Sequence, residues 1–478
     1  MTRLRETSRP IRLAAAAAFV LLLVACATPN IDGALATSNE QVREFAGGML
    51  TLARDTPSTD VLKQRAEQLL AQPLSQEAAV EVALVNSPGV QAMLADRWVE
   101  RARAAQSGRL PNPVLAVERM TVGDELEIGR LLSFGLLDLI TLPQRATIAQ
   151  QRLAASQLAL TSDVVESVTT VRQAWVRAVA AQQSLAYAQQ VHDSAQASAE
   201  LAKRMQAAGN FNRITRARQQ TFYADAAAGL ATAQHELTAT REALIRALGL
   251  TEGQAQKLVL PERLPDLPAT PREPAEVAQA ATRLRLDLQI AQAQLRVAAR
   301  EQGLGRWTSL ADVELGLRRN SVSDRATGAR SSPRGWEADV RLPLFDWGDV
   351  QRAAFSAQTL AAMNRLEGVA RNSGSHLREG YSAYRTSYEL ARHYRDEIVP
   401  LRRIISEENQ LRYNGMLIGV FELLADSRDQ IATVRAAIKA QEQFWLADAA
   451  LRATIVGRPM AAGAGLAGVA AAPDAAPH

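Results

Sequence analysis

The chain has 478 residues, with 54 Lys and Arg against 50 Asp and Glu, and one cysteine. The charges are interspersed rather than clustered, which argues against a nucleic-acid surface, since that needs a basic patch. A single cysteine excludes internal disulfides and a multi-cysteine metal site.

Residues 1–25 read as an export signal. Arg3, Arg5, Arg9 and Arg12 precede an apolar run from Leu13 to Val24. That run is short for a membrane span. It ends in Leu23-Val24-Ala25-Cys26, which resembles a bacterial lipoprotein cleavage box with Cys26 as the lipidated first residue. Ala27 follows, where Asp is usually associated with inner-membrane retention, so an outer-membrane address is expected. Residues 26–72 form an N-terminal periplasmic segment, with helical patches near Asn39–Ala53 and Thr59–Leu70.

A first structural unit is expected over 73–250. Ser75-Gln76-Glu77-Ala78 makes a helix start. The helix is expected to continue to Ser107 through Pro88-Gly89, before the break at Leu110-Pro111-Asn112-Pro113. From Val114 the apolar period changes to two. Leu126, Ile128, Leu132, Phe134 and Leu136 alternate with Glu127, Gly129, Ser133 and Gly135, and Arg130 is the charged exception on the apolar side. A β-hairpin is therefore expected over 114–137, turning at Gly123-Asp124. Next comes the stretch that dominates the chain. Between Pro143 and Gly209 there is neither Gly nor Pro. Such a run predicts a rod of about 100 Å. Val164, Val168, Val171 and Trp175, then Val191, Ala195, Ser198, Ala202 and Met205, recur at coiled-coil spacing. A rod of this kind needs neighbouring helices along its length. A return helix is expected to about Leu248.

Residues 251–274 hold five prolines between Leu260 and Pro274 and read as a linker. A second unit over 275–456 repeats the first. Gln351-Arg352-Ala353 echoes Gln144-Arg145-Ala146, and Gly415 stands where Gly209 stood. A second β-hairpin is expected over 312–345. Val313, Leu315 and Leu317 alternate with Glu314, Gly316 and Arg318. Trp336, Ala338, Val340, Leu342 and Leu344 alternate with Glu337, Asp339 and Arg341. A polar loop from Asn320 to Gly335 is expected as its tip. Residues 457–478 are Ala-, Gly- and Pro-rich and are expected to be disordered.

Four strands of about ten residues, apolar on one face, carry the pattern of a transmembrane β-barrel. Ile128, Phe134, Leu315, Val340 and Leu342 would face lipid, and Glu314 and Asp339 the lumen. Four strands cannot close a barrel, and an open edge cannot sit in lipid. Two copies would give eight strands and three would give twelve.

Across residues 75–456 the chain resembles the TolC-like outer membrane factors of bacterial tripartite efflux and type I secretion systems. The resemblance rests on an ordered set of marks: Ala79-Val80-Glu81-Val82-Ala83-Leu84 with Asn86-Ser87-Pro88; Leu110-Pro111-Asn112-Pro113; Pro343-Leu344-Phe345-Asp346-Trp347-Gly348; Val399-Pro400; and Tyr413-Asn414-Gly415. It implies a mainly α fold with a transmembrane β part, in two repeats of long α-hairpins plus β-hairpins. It selects a homotrimer with a 12-stranded β-barrel in outer membrane lipid and a periplasmic α-helical barrel. It implies a passive duct that works with a periplasmic adaptor (membrane fusion protein) and an inner membrane pump, without a cofactor. The turns at Gly209, Asn210, Phe211 and Asn212, and at Gly415, Met416, Leu417, Ile418 and Gly419, would be the adaptor-docking tip. The family often has acidic residues at the pore mouth. Here Glu422 and Asp426 are candidate gate residues in one repeat, whereas the other offers Arg213, Arg216 and Arg218.

The chain contains no nucleophile elbow, His-Glu-x-x-His, phosphate loop or Cys/His cluster. Its histidines, His192, His235, His376, His393 and His478, are scattered. Asp124, Glu125 and Glu127 read as a solvated hairpin tip rather than a catalytic carboxylate pair. The alternative is a structural coiled-coil envelope lipoprotein without channel activity. It accounts for the rods and Cys26 but not for the strands.

Overall fold

The computed structural model describes residues 31–308, 312–342 and 344–461. The export signal, Cys26, Pro343 and the tail from 462 lie outside them.

Helix α1 (Ile31–Ala46) and helix α2 (Thr56–Leu70) form the N-terminal segment. The first begins several residues earlier than its apolar spacing predicts. Asp55 caps α2 in a reciprocal box with Ser58. Helix α3 (Gln76–Asn86) is capped by Ser75, and helix α4 (Pro88–Ser107) follows at a bend of 55°. The expectation of one continuous helix fails at Ser87. A residue before proline is driven out of the helical region, and Ser87 sits at φ −73°, ψ 120°.

Strands β1 (Val114–Val122) and β2 (Glu125–Gly135) make the first hairpin. Helix α5 (Leu136–Ala207) begins directly after, so the strand stops short of Leu137 and Pro143 lies inside the helix rather than at its start. Asp138 in the first turn complements the helix dipole and pairs with Arg145 at 2.5 Å. Helix α6 (Arg213–Leu248) returns, followed by a short helix α7 (Glu252–Lys257).

Helix α8 (Pro274–Leu284) and helix α9 (Leu286–Thr308) precede strands β3 (Asp312–Asp324), β4 (Arg330–Ser331) and β5 (Arg334–Arg341). Strand β3 runs beyond Asn320, so the expected tip loop shrinks to a turn at residues 325–329. Helix α10 (Asp349–His393), a π-turn at Tyr394–Ile398, helix α11 (Val399–Asn414) and helix α12 (Val420–Val456) complete the chain. The π-turn has a covalent cause. Pro400 lacks an N–H, and its ring would meet the carbonyl four residues earlier, so the preceding turn widens. Among the described residues no single helix is long and apolar enough to cross a membrane.

The chain divides into two compact units. Of the described residues, one comprises 31–34, Asp96–Ala159 and Leu288–Ala370, and holds the sheet. The sheet is antiparallel, with β1 pairing β2, β2 pairing β3, and β3 pairing both β4 and β5. The register sets Phe134 opposite Leu315, Val313 opposite Val340, and Glu314 opposite Asp339.

The other unit comprises Leu35–Ala95, Leu160–Asp287 and Arg371–His478. Most of the coiled-coil seam is buried here: Val164, Val168, Val171, Trp175, Val191, Ala195 and Ala202 are all at or below 4% exposure, whereas Ser198 and Met205 are half-buried. Arg172 donates to the Phe45 carbonyl and stacks on its ring, tying α1 down. Burial draws the Arg172 pKa down to about 10, with Arg452 acting in the same direction and Asp448 opposing, so the group stays charged at neutral pH.

The proline linker is strapped to the helices through its carbonyls. Tyr388 donates to Pro268 and Ala269, Trp445 to Pro265, and Tyr381 to Arg272. Leu267 buries itself beside these aromatics, and Leu264 is buried as well. Both halves also share a close backbone contact. Gly249 (φ +66°) ends α6 against Ser87-Pro88, where an added Cβ would lie 2.5 Å from Pro88 and 2.6 Å from Ser87 Cα. Gly457 (φ +91°) ends α12 against Leu286-Asp287, where a Cβ would lie 2.9 Å from the Leu286 nitrogen. Neither the conformation nor the space admits a side chain.

Candidate functional site

Two regions carry residues that packing alone does not explain: the turns of the two long helical hairpins, and the faces of the sheet.

The first turn joins α5 to α6. Gly209 takes φ +80°, and Asn210 and Phe211 donate their N–H groups back to the Met205 carbonyl. Asn212 caps α6, its side chain accepting from the Thr215 N–H at 2.8 Å and the Thr215 hydroxyl at 2.9 Å. Phe211 is half-buried.

The second turn joins α11 to α12. Here Gly415 has an ordinary φ of −79°, and Met416 takes the left-handed position at φ +58°. The sequence places Gly209 and Gly415 in equivalent positions, but the conformation that favours glycine falls one residue later in the second turn. Met416 is 93% exposed and Leu417 78%. Ile418 is half-buried, and Gly419 begins α12 without a side-chain cap. The turn thus holds two large apolar side chains in solvent and one strained backbone.

The candidate gate residues lie just beyond these turns. Glu422 is exposed in the first turn of α12. Asp426 is buried, and its Oδ2 has no hydrogen-bond partner. Arg213, Arg216 and Arg218 are exposed. Arg216 donates to Gln206 at 2.9 Å, and the Arg218 carbonyl accepts from Arg428 at 3.3 Å. Among the described residues no ion pair joins Glu422 or Asp426 to these three arginines. Arg428 instead stacks on Phe222 at 4.6 Å, and this contact bridges the two hairpins.

The sheet has two chemically distinct faces. One carries Glu118, Glu127, Glu314, Glu337 and Asp339, with Arg318 paired to Glu118 and Glu337 at 3.3 Å each, and β1 adds Val114, Met120 and Val122 to it. Asn320 donates to Glu127 on the same face. The other face carries Leu115, Val117, Ile128, Leu132, Phe134, Leu315, Leu317, Trp336 and Val340. Trp336 is 74% exposed there. The register adds three arginines to this second face beside Arg130: Arg119, Arg319 and Arg334. Sequence reading singled out Arg130 alone, because the others become its neighbours only when strands are aligned. No strand at the far edge of β1 is present among the described residues.

No protein-family model matches the chain, and no curated protein matches it. Solved structures do. A membrane protein from Pseudomonas aeruginosa superposes with TM-score 0.66 at 20% identity, over 82% of this chain and 93% of that one. The outer membrane protein VceC from Vibrio cholerae gives 0.65 at 15% identity, over 83% and 96%. The CmeC outer membrane channel of Campylobacter jejuni gives 0.64 at 13% identity, over 86% and 91%. The chain has the TolC-like fold that these membrane proteins share. Among the described residues no group of three or more His, Cys, Asp or Glu could hold a metal ion.

Proposed function

We propose that the chain is one subunit of a passive outer membrane export channel. Three copies close a 12-stranded barrel in the lipid, and their helices form a periplasmic tunnel. A periplasmic adaptor docks on the helical turns and links the tunnel to an inner membrane pump, as in tripartite efflux or type I secretion. One observation carries this reading: a five-stranded sheet with a charged face, an apolar exposed face and, among the described residues, an unpaired edge at β1, on a chain with the fold of outer membrane channels. An unpaired edge is intolerable in lipid, so the sheet must be continued by another copy. The alternative, a coiled-coil lipoprotein that only bridges envelope layers, gives no reason for exposing Trp336, Leu115 and Val117 on one face.

The test compares the two faces of one strand. Arg at the bilayer midplane costs about 2–4 kcal/mol on a lipid-facing site. Leu315→Arg is therefore expected to reduce heat-resistant oligomer in outer membranes, whereas Glu314→Arg, next door on the lumen face, is expected to leave it near the native level. Equal tolerance of both would show that these strands do not sit in a membrane. The reading also includes a lipid on Cys26. Since one acyl chain anchors only marginally, Cys26→Ser is expected to lose lipid labelling and keep its outer membrane location. Loss of assembly in that variant would make the lipid essential instead.

A further inference from the structure

The four arginines on the apolar face of the sheet form a belt. Arg130 stands directly opposite Arg319, and Arg319 directly opposite Arg334. Arg119 is diagonal to Arg130 across the β1–β2 pair. Directly opposed residues on neighbouring strands sit about 4.5–5.5 Å apart. Like charges at that spacing repel, and this face offers them no carboxylate. Among the described side chains, the acidic residues of the strands fall on the other face, where Arg318 finds its own partners. Among the described residues, the one polar contact of the belt is Arg130 to the Ser321 hydroxyl at 3.4 Å. All four side chains are exposed.

The belt also has a definite height. Below it come the row of Leu115, Leu132, Leu317 and Trp336, then Phe134 with Leu315, then Val313 with Val340. From Arg334 to Val340 is six residues, or about 20 Å of strand. That is close to the apolar band of about 25 Å on a transmembrane barrel. On the other side of the belt the face becomes mixed, with Ser321, Ser323 and Thr121 set among Ile128 and Leu126. The arginines therefore mark the boundary at the turn end of the sheet, where lipid tails would meet head groups.

We propose that this belt binds the phosphate groups of a membrane lipid, the phosphorylated glycolipid of the outer leaflet. This rests on the reading of the strands as a barrel in the outer membrane. A guanidinium presents a planar fork that matches a phosphate bidentately, and neighbouring forks about 5 Å apart can share one phosphate or bridge two. Lipid phosphate supplies the missing counter-charge, and the acyl chains cover the apolar rows beneath. A charge-neutral head group would leave the opposed arginines uncompensated.

The experiment uses the full-length oligomer, purified in detergent and offered diphosphoryl lipid A, its dephosphorylated form, or phosphatidylethanolamine. Retained lipid is counted by native mass spectrometry, and channel conductance is recorded in planar bilayers on the same material. The diphosphoryl lipid is expected to be retained about tenfold better than the other two. The variant with Arg119, Arg130, Arg319 and Arg334 all changed to Gln is expected to lose that preference. Arg318→Gln, on the lumen face, is expected to keep it. Equal retention of all three lipids by a conducting wild-type channel overturns the belt and leaves the barrel reading standing. A quadruple variant with undiminished preference also overturns it. A wild-type protein that neither inserts nor conducts overturns the barrel reading and the belt together. The wild-type lipid comparison decides the question even if the quadruple variant fails to assemble.

Discussion

The two long helical hairpins turn with different chemistry. The first turn is closed and relaxed: a glycine takes the left-handed position, an asparagine caps the next helix, and its phenylalanine is half-buried. The second is open and strained. A methionine takes the left-handed position, the next helix has no side-chain cap, and Met416 and Leu417 stand in solvent. Selection for stability alone would favour the first solution in both places. The second turn keeps exposed apolar groups that water disfavours, and a rigid apolar knob of this kind suits recognition by a partner. On the proposed function, the difference favours the second turn as the adaptor contact, with the first serving as structural support.

The largest expected effect breaks that assignment directly. Leu417→Asp places a charge in the proposed contact without touching the folded core. It is expected to abolish export in a susceptibility or secretion assay while leaving oligomer and membrane level unchanged. The matching change in the first turn, Asn210→Asp, is expected to leave export largely intact. If Leu417→Asp transports normally, docking lies elsewhere. If both changes abolish transport, the two turns share the role.

A second, intermediate effect concerns charge. Beyond the first turn stand Arg213, Arg216 and Arg218, and beyond the second stand Glu422 and Asp426. Among the described residues of one chain these do not pair, so a closing ring would have to join Glu422 of one subunit to arginines of the next. Exposed pairs are worth under about 1 kcal/mol each, and three around a ring remain easily opened. Glu422→Arg is therefore expected to raise single-channel conductance in lipid bilayers without changing stability, because Glu422 is exposed. Asp426 is unsuited to the same test, since it is buried and a reversed charge there would disturb packing. Unchanged conductance in Glu422→Arg would remove Glu422 from any gate.

The contrast between the turns also marks what the sequence makes legible. Long helices are readable because their apolar period is sustained: Val164, Val168, Val171 and Trp175 all bury as their spacing requires. The faces of β2, β3 and β5 are readable for the same reason, with period two, whereas β1 is apolar on both faces over Val114–Val117. Boundaries are less so. Leu136 and Leu137 continue the strand pattern, yet the chain turns helical at Leu136, and Pro143 is accommodated inside the helix. Pro88 was expected to be tolerated and instead bends the chain at Ser87. Features that depend on cross-strand register were out of reach, and the Arg130–Arg319–Arg334 row is one of them. So was the left-handed Met416, because the glycine beside it is the natural candidate for that conformation.

That last point yields the smallest effect and the sharpest test of the comparison. At Gly209 nothing lies within 4 Å of an added Cβ, so Gly209→Ala is opposed by conformation alone. A left-handed residue other than glycine costs about 1–2 kcal/mol, and thermal or denaturant unfolding is expected to register that loss. Gly415 has φ −79°, and an added Cβ would meet the Leu411 carbonyl oxygen at 3.5 Å, ordinary contact. Gly415→Ala is therefore expected to gain about 0.4–1 kcal/mol by restricting the unfolded chain. Met416→Gly removes the left-handed penalty but loosens the unfolded chain, so its net gain should stay under about 1 kcal/mol. The decisive reading is the sign across the three variants. Loss at Gly209 with gains at Gly415 and Met416 means the second turn carries strain that glycine would relieve. If Met416→Gly is also more stable but impaired in export, the strained methionine is kept for contact. If it exports normally and gains nothing, the two turns differ in geometry only, and the docking assignment must rest on Leu417.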